Sequence, residues 1–162
     1  MLLNPYRFAV AGGGGGGGGD PFWDSVEMLI HFDGTAGSTT FTDSKGLRTL
    51  TPYGTAQVSA TSKFGTGSGS FDASGDYLTV SPVVNFPTGD FTLEWWVKFE
   101  TTLAVSPVIS SRTGATGYQA FSTYSAGLLR LVWQQWVESG IWDFIDVSVS
   151  KTLGDWVAVC FE

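Results

Sequence analysis

Residues 91–100 alternate without a break. Phe91, Leu93, Trp95, Val97 and Phe99 occupy one set of positions; Thr92, Glu94, Trp96, Lys98 and Glu100 occupy the other. A period of two puts each set on its own face of a β-strand, and the apolar face must meet a core. A similar alternation predicts a strand at residues 26–32, with Val26, Met28, Ile30 and Phe32 on one face and Glu27, Leu29 and His31 on the other. Short strands are expected at residues 49–52, 56–60, 77–80, 108–111, 118–124 and 128–133, and two closing strands at 141–149 and 156–161. Between them lie turn-rich segments: residues 33–38, the glycine-rich 65–69, and Gly114, Gly117 and Gly127. No window sustains a helical period. Roughly ten short strands at even spacing predict an all-β sandwich or jelly roll with very little helix.

The first residues follow another rule. Residues 1–11 form a short mixed apolar arm, and residues 12–19 are eight consecutive glycines. Polyglycine buries nothing and keeps maximal backbone freedom, so it predicts a hinge with a reach of about 15 Å. An arm on a hinge can dock on a neighbour; a plain disordered tail is the alternative. The expected division is therefore an arm and hinge over 1–19 and a β-sandwich domain over 20–162.

Composition sharpens this picture. The 162 residues are 43% hydrophobic and only 14% charged, with seven Trp, twelve Phe and five Tyr. That mixture suits a packed β-protein and argues against a disordered chain. A net charge of −7 and eight scattered Lys and Arg oppose binding to nucleic acid or to an anionic membrane surface. No apolar run approaches a membrane-spanning helix, and the start lacks the basic region of a signal peptide. The single cysteine, Cys160, rules out an intramolecular disulfide; its apolar neighbours predict a small buried side chain.

Three stretches carry a family resemblance. They are Leu29-Ile30-His31-Phe32-Asp33-Gly34-Thr35 with Thr42-Asp43-Ser44; Lys63-Phe64-Gly65 with Ser70-Phe71-Asp72-Ala73-Ser74-Gly75-Asp76-Tyr77-Leu78; and Asp90-Phe91-Thr92-Leu93-Glu94-Trp95-Trp96-Val97-Lys98. Val108-Ile109-Ser110-Ser111 and Leu153-Gly154-Asp155-Trp156-Val157-Ala158-Val159 continue the pattern. In this order they resemble the laminin-G-like branch of the concanavalin A-like lectin/glucanase superfamily, which implies a jelly-roll sandwich from about residue 26 onwards. Domains of that family usually continue past the last of these strands. The resemblance thus implies a sandwich incomplete at its C-terminal end: a fragment, a domain finished by a partner, or a shorter variant. The Asn4-Pro5-Tyr6-Arg7-Phe8 arm, the polyglycine tract and Asp20-Pro21-Phe22-Trp23 resemble bacteriophage virion proteins that carry such domains. That likeness implies a capsid-decoration, tail or adhesion component in an extracellular particle, assembled with other virion subunits as a homo-oligomer or hetero-assembly. The alternative is a carbohydrate-binding module for host-surface glycans.

Catalysis is not expected. The Glu-x-Asp-x-x-Glu pattern of the superfamily's glycosidases is missing. Glu94 and Glu100 share a strand face but lie roughly 20 Å apart, too far for an acid/base pair. Asp143 and Asp146 fall on opposite faces of a regular strand. One histidine, His31, and one cysteine make a zinc site implausible. Calcium is the cofactor to consider, held by Asp72 and Asp76 with help from Asp33 or Asp43; equally, these two carboxylates can cap a tight turn. For a saccharide, Trp96 stands out on the polar face of its strand. Trp133, Trp136 and Trp142 at or near strand ends complete a candidate platform beside Glu94, Lys98, Gln134 and Gln135. The competing reading covers Trp96 with a loop and makes it core.

Overall fold

The computed structural model describes residues 2–4, 23–72, 75–84, 90–101, 106–110, 117–125, 127–136 and 142–161. The chain forms two compact units, Leu2–Val84 and Asn85–Glu162. Among the described residues there are only strands and a single 3-10 turn, Trp23–Ser25. The fold is all-β, with antiparallel sheets that do not close on themselves, the pattern of an incomplete jelly roll.

The first unit holds β1 (Leu2–Asn4), β2 (Thr49–Tyr53), β3 (Gln57–Ser59), β4 (Ser68–Ser70) and β5 (Tyr77–Ser81). β4 pairs with β1 on one side and β3 on the other, while β2 pairs with β5. The start of the expected arm is thus a strand of this chain's own sheet, with Leu2 opposite Ser70 and Leu3 opposite Gly69. The polyglycine tract lies outside the described residues. The core of the unit is Phe41, Leu50 and Val58, with Met28, Ile30, Phe32, Leu78 and Val80 packed against it.

One expected strand is absent. Residues 26–32 make a single isolated bridge, Ile30 to Asp43, and Phe32 adopts φ 57°. The Leu29 N–H, which a strand would donate to a neighbouring carbonyl, goes instead to the Asp43 carboxylate. The inward face was nevertheless legible, since Met28, Ile30 and Phe32 do reach the core. The glycine-rich 65–69 segment, in turn, ends in strand β4 rather than being loop throughout. A Cβ on Gly69 would lie 2.7 Å from the Phe32 ring and 2.8 Å from that of Phe71. Glycine is therefore what lets β4 pass under Phe32.

The second unit holds β6 (Leu93–Lys98), β7 (Ser106–Ser110), β8 (Gly117–Ser125), β9 (Leu128–Trp136), β10 (Trp142–Ser150) and β11 (Trp156–Phe161). β6 pairs with β11, and the other four form a sheet in the order β10-β9-β8-β7. The alternation of β6 appears as read: Trp95, Val97 and Phe99 are buried, and Val157, Val159 and Phe161 of β11 join them. Cys160 corrects its expectation. It is exposed, with Sγ 3.7 Å from Glu94 Oε1. The strand period turns Trp156, Ala158 and Cys160 away from the buried face, whatever their hydrophobicity.

Candidate functional site

The β2–β5 ribbon has two unlike faces. Leu50, Pro52, Leu78 and Val80 turn inward, and Leu50, Leu78 and Val80 belong to the core. The other face consists of three cross-strand pairs: Thr49 with Ser81, Thr51 with Thr79, and Tyr53 with Tyr77. Every residue of these pairs is exposed and every one carries a hydroxyl. No charged side chain interrupts the face. Hydroxyls donate and accept, so this row can match a polyol at each position.

The tyrosines stand at one end of the row. Their rings are stacked, with centroids 4.7 Å apart and 8° between planes, and they are 45% and 49% exposed. Each ring fixes the other, so an aromatic surface is held in place before any ligand arrives. Beside them, Asp76 anchors the loops at this end. Its Oδ1 accepts the Thr55 N–H at 2.6 Å, and its Oδ2 accepts the Asp72 N–H at 3.0 Å. Sequence reasoning passed over this face; its signal was the period-two spelling Thr-x-Thr-x-Tyr and Tyr-x-Thr-x-Ser.

Of the four tryptophans singled out from the sequence, Trp96 and Trp133 have described side chains. Trp133 is only 8% exposed and packs against Phe91, Tyr118 and Phe161 at 5.2, 5.7 and 6.0 Å. Its ring belongs to the core. Trp96 is half-buried on the outward face of β6, opposite Ala158 and between Glu94 and Lys98. Trp136 and Trp142 are partners in the β9–β10 register, and their side chains lie outside the described residues.

A family model described as the concanavalin A-like lectin/glucanases superfamily, laminin-G type, matches residues 72–162, more than half of the chain. The chain belongs to the concanavalin A-like superfamily. No match was found among curated proteins or solved structures. The matched segment begins just before β5, so Tyr77 lies within it and Tyr53 before it.

Other chemistry considered for this concanavalin A-like chain is poorly supplied. Calcium takes six to eight oxygen ligands. Around Asp76 the structure offers N–H donors instead, and both oxygens also accept from the Thr55 hydroxyl. Asp33 likewise accepts from Thr66, its N–H at 2.7 Å and its hydroxyl at 3.2 Å. Asp43, only 4% exposed, accepts the N–H groups of Leu29, Lys45, Leu47 and Arg48 at 2.9–3.0 Å. Among the described residues no three acidic, His or Cys side chains gather as a metal site. The described contacts of Asp33, Asp43 and Asp76 are those of the turn-capping role. His31 Nδ1 meets Ser44 Oγ at 2.7 Å, the contact of a nucleophile and its base. A working dyad also needs an orienting group on the other nitrogen. His31 Nε2 is buried with no hydrogen-bond partner, and the neighbouring Asp43 is occupied by backbone donors.

Proposed function

We propose that this chain is a non-enzymatic carbohydrate-binding module that takes a neutral glycan on the outer face of the β2–β5 ribbon. The observation that carries this reading is the exposed, stacked Tyr53–Tyr77 pair at the end of an uncharged row of hydroxyls. Sugar rings have apolar C–H faces that stack on aromatics and hydroxyl rims that exchange hydrogen bonds; this face offers both. The lectin component of the superfamily supports the same reading. In an acidic chain of net charge −7, a charge-free face also favours neutral over anionic saccharides.

Tyr53→Ala and Tyr77→Ala test the reading, using a broad glycan screen followed by titration calorimetry on the best neutral oligosaccharide. Each substitution is expected to weaken binding by roughly fivefold to tenfold, about 1 kcal/mol of lost stacking, with folding retained because both rings are exposed. A blank screen, or binding unaffected by both changes, overturns it.

A second reading draws on the unclosed sheets: a structural or decoration component of a viral particle, joined to other subunits through strand edges. Recovery of the chain from purified particles supports it, and recovery only as unassembled protein counts against it. The two roles are compatible, since a glycan-binding domain on a virion is an adhesin.

A further inference from the structure

The β2–β5 ribbon is antiparallel, but it is not a hairpin. Residues 54–76 separate its two strands, and β3 and β4 lie in that stretch. No tight turn holds the strand ends together, as one does in a hairpin. Tyr53 and Tyr77 are the last pair of the register, where the chain leaves β2 and enters β5. A two-stranded ribbon has little stability of its own, and its end pairs open first. Yet the two rings at this end are stacked 4.7 Å apart and nearly parallel. Another group must close the end of the ribbon.

One carboxylate does so. Asp76 directly precedes Tyr77, and Gly54 and Thr55 directly follow Tyr53. Asp76 Oδ1 accepts the Thr55 N–H at 2.6 Å, and Oδ2 accepts the Asp72 N–H at 3.0 Å. The Thr55 hydroxyl lies 3.1 Å from Oδ1 and 3.2 Å from Oδ2, a bond shared between them. Hydrogen bonds to an ionised acceptor are shorter and stronger than neutral ones. The other strand is shaped to admit the carboxylate. Gly54 has φ 67°, and a Cβ there would collide with Asp76 Oδ1 and lie 2.8 Å from Gly75 O. Conformation and space both exclude an L side chain from position 54. The result is a latch with one tyrosine attached to each half.

We propose that Asp76 is the positioning residue of the glycan face: by latching Gly54 and Thr55 to the start of β5, it holds Tyr53 and Tyr77 stacked before a ligand arrives. Its consequence for binding rests on the glycan reading above; its effect on the rings does not. A side chain that must be immobilised on binding costs affinity, and one already fixed does not. Changing Asp76 leaves both tyrosines chemically intact, so any loss of affinity comes through their order.

NMR of the full chain with labelled tyrosine rings reads the stack without any saccharide, the signals being assigned with Tyr53→Phe and Tyr77→Phe. In the wild type each ring is expected to shift the other's protons upfield. Asp76→Ala is expected to move both sets towards unfolded-chain positions, while Tyr118 and Tyr124 in the other unit keep theirs. The same variant is expected to weaken binding of the best neutral oligosaccharide by about tenfold. Gly54→Ala, which blocks the latch from the other side, is expected to match it. Asp76→Asn keeps an acceptor for the Thr55 N–H and is expected to recover most of the stack and of the affinity. Thr55→Val, which removes only the hydroxyl, is expected to release the rings in part; these two milder variants carry the test if Asp76→Ala fails to fold. Rings that stay shifted throughout the series overturn the proposal, and so do rings released with affinity unchanged. A wild type that binds no saccharide overturns the glycan reading, while the ring signals still decide whether Asp76 orders the stack.

Discussion

Asp43 shows what a single carboxylate does in this fold. It is buried, and its two oxygens take four backbone N–H groups, from Leu29 on one segment and from Lys45, Leu47 and Arg48 on another. Hydrogen bonds to a charged acceptor contribute more than neutral ones, and a buried donor left without an acceptor is costly. Asp43→Asn turns an amide N–H₂ towards two of those donors. We expect a loss of about 3 kcal/mol, read as a lower denaturant midpoint at unchanged m-value. A loss below about 0.5 kcal/mol would place these bonds among the dispensable ones. Asp33 and Asp76 repeat the device on a smaller scale, each joining segments more than twenty residues apart in sequence. Their residue types were visible in the chain as turn formers. Their donors were not, because those come from distant loops.

At the scale of elements, the period of two was the most dependable guide. It placed β6 and its buried face, and it located the neighbourhoods of β2, β3, β5 and β7 to β11. It failed in two instructive ways. Residues 26–32 have the alternation of a strand but lack a partner strand, because the Asp43 carboxylate takes the place of one at Leu29. Cys160 was expected inside because its neighbours are apolar, yet a strand that buries Val157, Val159 and Phe161 must turn Cys160 outward. The thiol of the folded protein is accordingly expected to react with a chromogenic disulfide reagent without denaturant, at a rate close to that of the unfolded chain. Protection of a hundredfold or more would return Cys160 to the interior. Cys160→Ser is expected to change stability by no more than about 0.5 kcal/mol.

For the whole molecule, the protein donors that already occupy the aspartates lead to a measurable expectation. Millimolar calcium added after chelation should leave the melting temperature unchanged, since the aspartates already accept from protein donors. A rise of several degrees would reveal a binding site, because a ligand selective for the folded state must stabilise it. Membership of the concanavalin A-like superfamily was also legible early: its motifs lie in consecutive strands and turns, so a linear reading can follow them. The candidate glycan face was harder to see. Thr49, Thr51 and Tyr53 meet Ser81, Thr79 and Tyr77 only through a register that joins segments nearly thirty residues apart. The sequence by itself determined the all-β class, the alternation of inner and outer faces and the family, because these depend on local periodicity and short motifs. Tertiary structure alone decided that Trp133 is core, which backbone N–H groups the aspartates hold, and that two tyrosines form one exposed stack. Those outcomes depend on which distant residue arrives opposite, and strand pairing, not local pattern, makes that choice.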